Sequence, residues 1–223
     1  MKNVIITGGT GMIGSLVLKD CLDRPDVGQV TSIVRRASGM AHAKLREVVL
    51  GDMGDLAPIT DALTDQDIAF YCLGVYTGAL PKDEFRRVTV DFTVTFTRAL
   101  KQGSPGAVLC FLSGEGADRT EKARMQFARD KGAAENFLFQ AGLPRVHSFR
   151  PGYIYPVHPR DEPNAAYRLM RALYKPLLSK LMAASSIPST ELAAAMVQVG
   201  FEGHPLEVLE NRDIRRLRRL DRR

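Results

Sequence analysis

The chain has 223 residues, of which 45% are apolar and 25% charged, enough material for a globular core and outside the ranges of disordered and fibrous proteins. That length predicts one domain over residues 1–223, with room for no more than a small appended lobe. No run reaches the ~18 uncharged apolar residues of a membrane span, and MKNVIITGGT has too short an apolar run for a secretory signal, so the expected location is the cytoplasm.

In chain order, residues 2–6 (KNVII) are a β-branched run that ends in a Gly-rich turn, and Met12, Ile13, Leu16, Val17 and Cys21 follow at helical spacing. Strands are predicted at 29–34, 47–50, 67–73, 107–113 and 145–150. Between them lie a short helix at 58–63, a long one from about Asp83 to Lys101 that Gly103 and Pro105 terminate, and another over about Thr120–Gln140. Alternation of this kind predicts an α/β, doubly wound parallel sheet of six or more strands, because parallel neighbours need crossover connections.

After Pro156 the texture changes to loop and helix, with a further helix in TELAAAMVQVGF and a last strand near LEVLE. Residues 156–187 are expected to form a small, lid-like C-terminal helical lobe, in which Leu169, Met170, Leu173, Tyr174, Leu177 and Leu181 give an apolar helical stripe interleaved with basic residues. Most of the formal charge of +6 sits at the very end: Asn211–Arg223 holds seven Arg and two Asp, which leaves +1 on residues 1–210. Ile214, Leu217 and Leu220 recur every three residues there, as on a docked amphipathic helix with its arginines in solvent, so nucleic acid is not the expected partner. Cys21, Cys72 and Cys110 are scattered through apolar segments, as reduced core thiols are, and the four histidines show no metal-ligand spacing.

The turn Thr7-Gly8-Gly9-Thr10-Gly11-Met12-Ile13-Gly14 spaces Gly8, Gly11 and Gly14 three apart between a strand and a helix. In that context Gly8 allows the tight turn, Gly11 lets backbone approach a pyrophosphate, Gly14 permits close helix packing, and the helix N-terminus attracts the anion. The spacing resembles TGxxGxxG of the extended and atypical short-chain dehydrogenase/reductase superfamily, and the likeness covers most of the chain. The resemblance implies a Rossmann-type fold and an NAD(P)H-binding protein, in the small group that includes epimerase/dehydratase-like and Tat-interacting-protein oxidoreductase members. Where NAD-selective members place an acidic residue after the second strand, this chain has Arg35 and Arg36. Two guanidiniums pair with a 2′-phosphate that a carboxylate would repel, so NADP(H) is the preferred cofactor and NAD(H) the second choice. The same resemblance assigns Asp52 and Met53 to the adenine edge, Leu73-Gly74 to the cofactor side of the fourth strand, and Pro151-Gly152-Tyr153, within an RPG stretch, to the nicotinamide.

In that superfamily Ser orients the substrate oxygen, Tyr of a YxxxK pair exchanges the proton, and Lys lowers the Tyr pKa and holds the ribose. Here Ser113 and Lys131 match, but the fragment Phe127-Ala128-Arg129-Asp130-Lys131 reads FxxxK. A phenyl ring can neither give nor take a proton. Lys131 interrupts an apolar stripe of Ala123, Phe127, Ala134 and Leu138, as a cofactor ribose or a snorkelling edge position would explain. Tyr76 is the preferred substitute acid; Tyr153, Tyr155, Glu115 and a water held by Ser113 are the others. The expectation is an NADP(H)-dependent oxidoreductase acting on a small carbonyl or alcohol substrate, monomeric or homodimeric. A catalytically silent NADP(H) sensor or scaffold is the alternative, and a sugar-nucleotide epimerase or dehydratase ranks below it.

Overall fold

The computed structural model describes residues 1–157 and 185–220. Seven strands form one sheet in the order β3-β2-β1-β4-β5-β6-β9. They are β1 (Lys2–Thr7), β2 (Val27–Val34), β3 (Leu45–Val49), β4 (Ile68–Tyr71), β5 (Val108–Leu112), β6 (Arg145–Arg150) and β9 (Val208–Glu210). Every pairing in it is parallel. A second sheet pairs β7 (Tyr153–Tyr155) with β8 (Ser186–Pro188), also in parallel. The helices are α1 (Gly14–Leu22), α2 (Lys82–Arg86), α3 (Phe92–Gly103), α4 (Gln126–Gln140), α5 (Ser189–Glu202) and α6 (Asn211–Leu220). This is the Rossmann-like architecture that the alternating pattern predicted.

β1 lies at the centre and is apolar on both sides: Val4, Ile5 and Ile6 are fully buried. Successive side chains point to opposite faces, so Val4 and Ile6 join a core under α1, α5 and α6, while Ile5 joins a core under α3, α4 and the 3-10 segment Ala57–Leu63. Each such side chain contributes roughly 2 kcal/mol by leaving water. Cys21 and Cys110 belong to the first core, and all three cysteines are free thiols. Ile214 of α6 is fully buried in that core and Leu217 packs against it, so the Arg-rich segment docks by its apolar stripe.

Strand order reverses between β1 and β4: after β1 the chain builds outward through β2 and β3, then crosses to β4 on the other side. A crevice opens there at the carboxyl edge, the position where this topology binds ligands. Two differences from the sequence expectation have physical causes. The long helix expected over 83–101 is interrupted by a π turn, Arg87–Asp91, between α2 and α3. It lets adjacent arginines reach different partners, Arg86 pairing with Asp130 at 3.0 Å and Arg87 with Asp52 at 2.6 Å. The helix expected from Thr120 begins at Gln126, because the Asp118 carboxylate accepts hydrogen bonds from the amides of Thr120, Lys122 and Ala123 and winds them into a turn. Glu121, at φ 60, cannot sit in a right-handed helix. Ala123 therefore precedes α4 and takes no part in its stripe. The expected amphipathic helix of the lid-like lobe lies outside the described residues.

Candidate active site

The loops that leave β1, β4, β5 and β6 at their carboxyl ends meet over the crevice. The first is held by its own backbone: Gly11 N–H donates to Gly8 O at 2.8 Å, and Cys72 N–H donates to Thr7 O at 3.1 Å, tying the ends of β1 and β4 together. Gly8 has φ 72, and a Cβ on it would stand 2.7 Å from the Cys72 carbonyl oxygen. A Cβ on Gly14 would meet Gly8 O at 2.1 Å. Both positions therefore exclude any side chain, and α1 starts hard against the turn.

Beside this turn is a cleft of about 160 Å³. Thr7, Gly8 and Gly11 form one wall, Arg35 and Met53 another, and Leu73 and Gly74 the third. The Thr7 hydroxyl is buried without a hydrogen-bond partner among the described residues. Arg36 is exposed and outside the cleft wall, as is Asp52, whose carboxylate accepts from Gly54 N–H at 2.8 Å and from Arg87 at 2.6 Å. Ile13 is buried as the residue before α1. Sequence reasoning missed Thr10, Ile33, Val34 and Leu50, which also line the cleft. Their common signal is position, since each follows or ends a strand at the carboxyl edge.

A second cavity of about 380 Å³ lies between the loops after β4, β5 and β6. Met12, Val75, Tyr76, Thr77 and Phe127 line it together with Ser113, Gly114, Glu115, Pro151, Gly152, Tyr153, Ile154 and Pro156. Two hydrogen bonds zip the β5 and β6 loops together, Ser113 N–H to Phe149 O at 2.8 Å and Glu115 N–H to Pro151 O at 2.9 Å. Gly152 N–H is held in turn by Asn211 Oδ1 at 3.1 Å. The structure thus brings Ser113, Tyr76, Met12 and the Pro151-Gly152-Tyr153 segment into one cavity. Phe127 stands there too and not in the core: its ring tip lies 2.5 Å from where a Cβ on Gly114 would be. Tyr155 is half-buried and does not line the cavity. Val75, Thr77, Ile154 and Pro156 were missed by the sequence reasoning, although each flanks a residue it named.

Behind this cavity is a buried ionic cluster. Glu135 has no exposed surface, and it accepts from Ser148 Oγ at 2.8 Å and Arg150 Nε at 2.9 Å, with a second Arg150 nitrogen on its other oxygen. Arg150 continues to Glu210 at 3.0 Å. Burial pushes the Glu135 carboxyl up, but the hydrogen bonds and charge of Arg150, with help from the hydroxyls of Ser113 and Ser148, hold it below its ordinary value. The Ser113 hydroxyl is close enough to Glu135 for that effect, yet it makes no hydrogen bond of acceptable geometry and is left as a buried group without a partner. Lys131 does not snorkel. It is buried, and Nζ donates to Leu112 O at 2.8 Å and stands 4.8 Å from the Phe111 ring centre. Burial pushes its ammonium down to about 8, against the opposing pull of Glu135 one helical turn away.

The family model described as NAD(P)H-binding matches residues 8–201, which include Gly8–Gly14, the cavity-lining residues other than Thr7, and Glu135 and Arg150 of the ionic cluster. The chain belongs to the NAD(P)H-binding family. It is 27% identical to protein HTATIP2 of Rattus norvegicus over 222 residues, covering 96% of this chain and 88% of that protein. Against the mitochondrial protein fmp52 of Aspergillus clavatus the identity is 28% over 209 residues, with 91% and 88% covered. Among solved structures, a short chain dehydrogenase from Burkholderia cenocepacia in complex with NADP has the same fold, with a TM-score of 0.70, 17% identity and coverage of 100% and 96% of the two chains. The Bordetella bronchiseptica enzyme WbmH in complex with NAD+ gives 0.69 at 20% identity, covering 94% and 75%. These solved structures share the fold of the chain. Among the described residues no helix is long and apolar enough to cross a membrane, and no cluster of His, Cys, Asp or Glu could hold a metal ion.

The residues present fit the family's cofactor. Gly8 and Gly14 leave the turn no room for side chains of its own, and the orphaned Thr7 hydroxyl lies in the cleft beside it.

Proposed function

We propose that the protein is an NADP(H)-dependent oxidoreductase that acts on a small carbonyl or alcohol substrate in the 380 Å³ cavity. The observation that carries this reading is the Ser113 hydroxyl, buried, lining that cavity and without a hydrogen-bond partner among the described residues. A buried hydroxyl left unpaired costs about 1–3 kcal/mol, a cost that a substrate oxygen accepting from it removes. Nicotinamide supplies or accepts the hydride when bound. Thr7, the Gly8–Gly14 turn and α1 hold the dinucleotide phosphates, and Arg35 in the cleft wall, with Arg36 beside it in sequence, supports a 2′-phosphate. Lys131 lines neither cavity, its Nζ on the Leu112 carbonyl, and would hold the ribose hydroxyls only by leaving that carbonyl, while the Phe127 ring lines the cavity where the superfamily's tyrosine would stand. Tyr76, in the same cavity, takes the proton role left vacant there.

Purified protein should consume NADPH with at least one member of a carbonyl panel, and Ser113→Ala should lower the rate by about 10²-fold, the usual yield of one positioned catalytic hydrogen bond. Tyr76→Phe should cost about as much if Tyr76 supplies the proton. NADPH consumption that survives both changes contradicts the assignment.

Phe127 itself favours a second reading, a binding protein that responds to NADP redox state without turnover. It is distinguished by tight, redox-dependent binding in the parent and turnover that emerges only in Phe127→Tyr.

A further inference from the structure

The substrate cavity contains one charged side chain among its described lining residues, Glu115, and no Arg, Lys or His. Glu115 is exposed, and its side chain has no ion pair or hydrogen bond among the described residues. Its Oε2 lies 2.8 Å from where a Cβ on Gly152 would stand, so the carboxylate rests against the Pro151-Gly152 backbone and faces the cavity. Its own N–H, bonded to Pro151 O at 2.9 Å, fixes the loop that carries it. Three aromatic residues, Tyr76, Phe127 and Tyr153, line the same cavity among apolar and small neighbours.

A carboxylate without an ion-pair partner among the described residues, in a cavity that aromatic rings also line, suits an organic cation, by ion pairing to the acid and by attraction to the rings. It also repels a carboxylate or phosphate on the ligand. Ser113 and Glu115 are two residues apart, which limits their Cα separation to about 7 Å, so one small molecule can address both.

We infer that Glu115 sets the substrate class: a small molecule with an aromatic or branched apolar body and a protonated amine, its reacting oxygen on Ser113 and its ammonium on Glu115. This rests on the reading of the cavity as the substrate site of an NADP(H) enzyme. An acid-bearing substrate of the same size is rejected by the same group.

The test uses the full chain saturated with NADPH and three probes of one shape: phenethylammonium, phenethyl alcohol and phenylacetate. Binding is followed by calorimetry or ligand-observed NMR. Phenethylammonium should bind about tenfold more tightly than the alcohol, and phenylacetate more weakly than either. Raising the salt concentration should narrow the spread. In Glu115→Gln, an exposed and nearly isosteric change, the ammonium and the alcohol should bind within about twofold of each other. The inference is overturned if the three probes bind alike, if none binds, or if the ammonium preference survives in Glu115→Gln. Failure of the parent to bind NADPH overturns the oxidoreductase reading instead, and NADPH binding without an ammonium preference overturns only this inference.

Discussion

The two ends of the ligand crevice are built from the same kind of loop, yet they are packed by different means. At the dinucleotide end, between β1 and β4, backbone touches backbone: Gly8 against the Cys72 carbonyl and Gly14 against Gly8. At the reaction end, between β5 and β6, the space is larger, about 380 Å³ against 160 Å³, and side chains such as Met12, Tyr76, Phe127 and Tyr153 line it beside the Gly114 and Gly152 backbone. Backbone contacts leave no freedom in residue type, so cofactor binding is written into a rigid motif. Side-chain walls accept substitution without refolding, which is how Phe127 can stand beside Ser113 while the sheet and the turn remain intact.

The most severe break in this contrast is Gly14→Val. Its Cβ would fall 2.1 Å from Gly8 O, and neither partner is a flexible side chain. We expect a loss of about 3 kcal/mol or more in urea unfolding, together with loss of NADPH binding. Gly11→Ala, whose Cβ would sit at 3.1 Å from the same oxygen, should be much milder in unfolding.

Next in size is Glu135→Ala, which strands Arg150 and Ser148 in the interior. Breaking a buried ion pair from one side costs about 3–5 kcal/mol, and thermal unfolding should report it. The result would show that the reaction end also has a rigid foundation, set one layer behind the cavity.

Lys131 tests the same foundation through pH. Its folded value near 8 lies below the ordinary 10.5, so between these limits the unfolded chain holds a proton that the folded chain has released. Stability conferred through this group therefore rises with pH across that window and is flat below it. Relative to Lys131→Met, which lacks the group, the parent should gain up to about 3 kcal/mol from pH 8 to 10.5 in parallel urea titrations. A constant difference would mean that the ammonium is solvated.

The smallest structural effect belongs to Phe127→Tyr. The ring tip points at Gly114, 2.5 Å from where a Cβ there would stand, so the ring must shift to admit the hydroxyl; stability should fall by about 1–2 kcal/mol while NADPH-dependent turnover rises by about 10²-fold. Unchanged turnover would separate Phe127 from the proton position.

The same contrast explains what the sequence makes legible. Gly8, Gly11 and Gly14 act through local geometry over eight residues, and the alternation of short β-branched runs with helical stripes is equally local, so the doubly wound sheet and the phosphate turn can be read directly. Ser113 and the Pro151-Gly152 segment are legible through their places after strands. The Arg87–Asp52 pair is not, because it links positions far apart in the chain and depends on a π turn whose residues look like ordinary helix. Asp52 in consequence turns to Arg87 and away from the cleft wall. Glu135 carried a signal that went unused: it stands four residues after Lys131, on the same helical face, where a second buried charge implies a partner such as Arg150. The start of α4 was obscured by Asp118, whose carboxylate replaces a helical turn with a side-chain-held one.

The central claim is that the dinucleotide end binds its cofactor although Phe127, which cannot exchange a proton, stands in the cavity beside it. It is tested most directly by titrating the parent chain with NADPH and then NADH, followed by nicotinamide fluorescence. The account predicts saturable binding of NADPH, about tenfold or more tighter than NADH because only the former carries a phosphate for Arg35 and Arg36. Binding of neither nucleotide would contradict it.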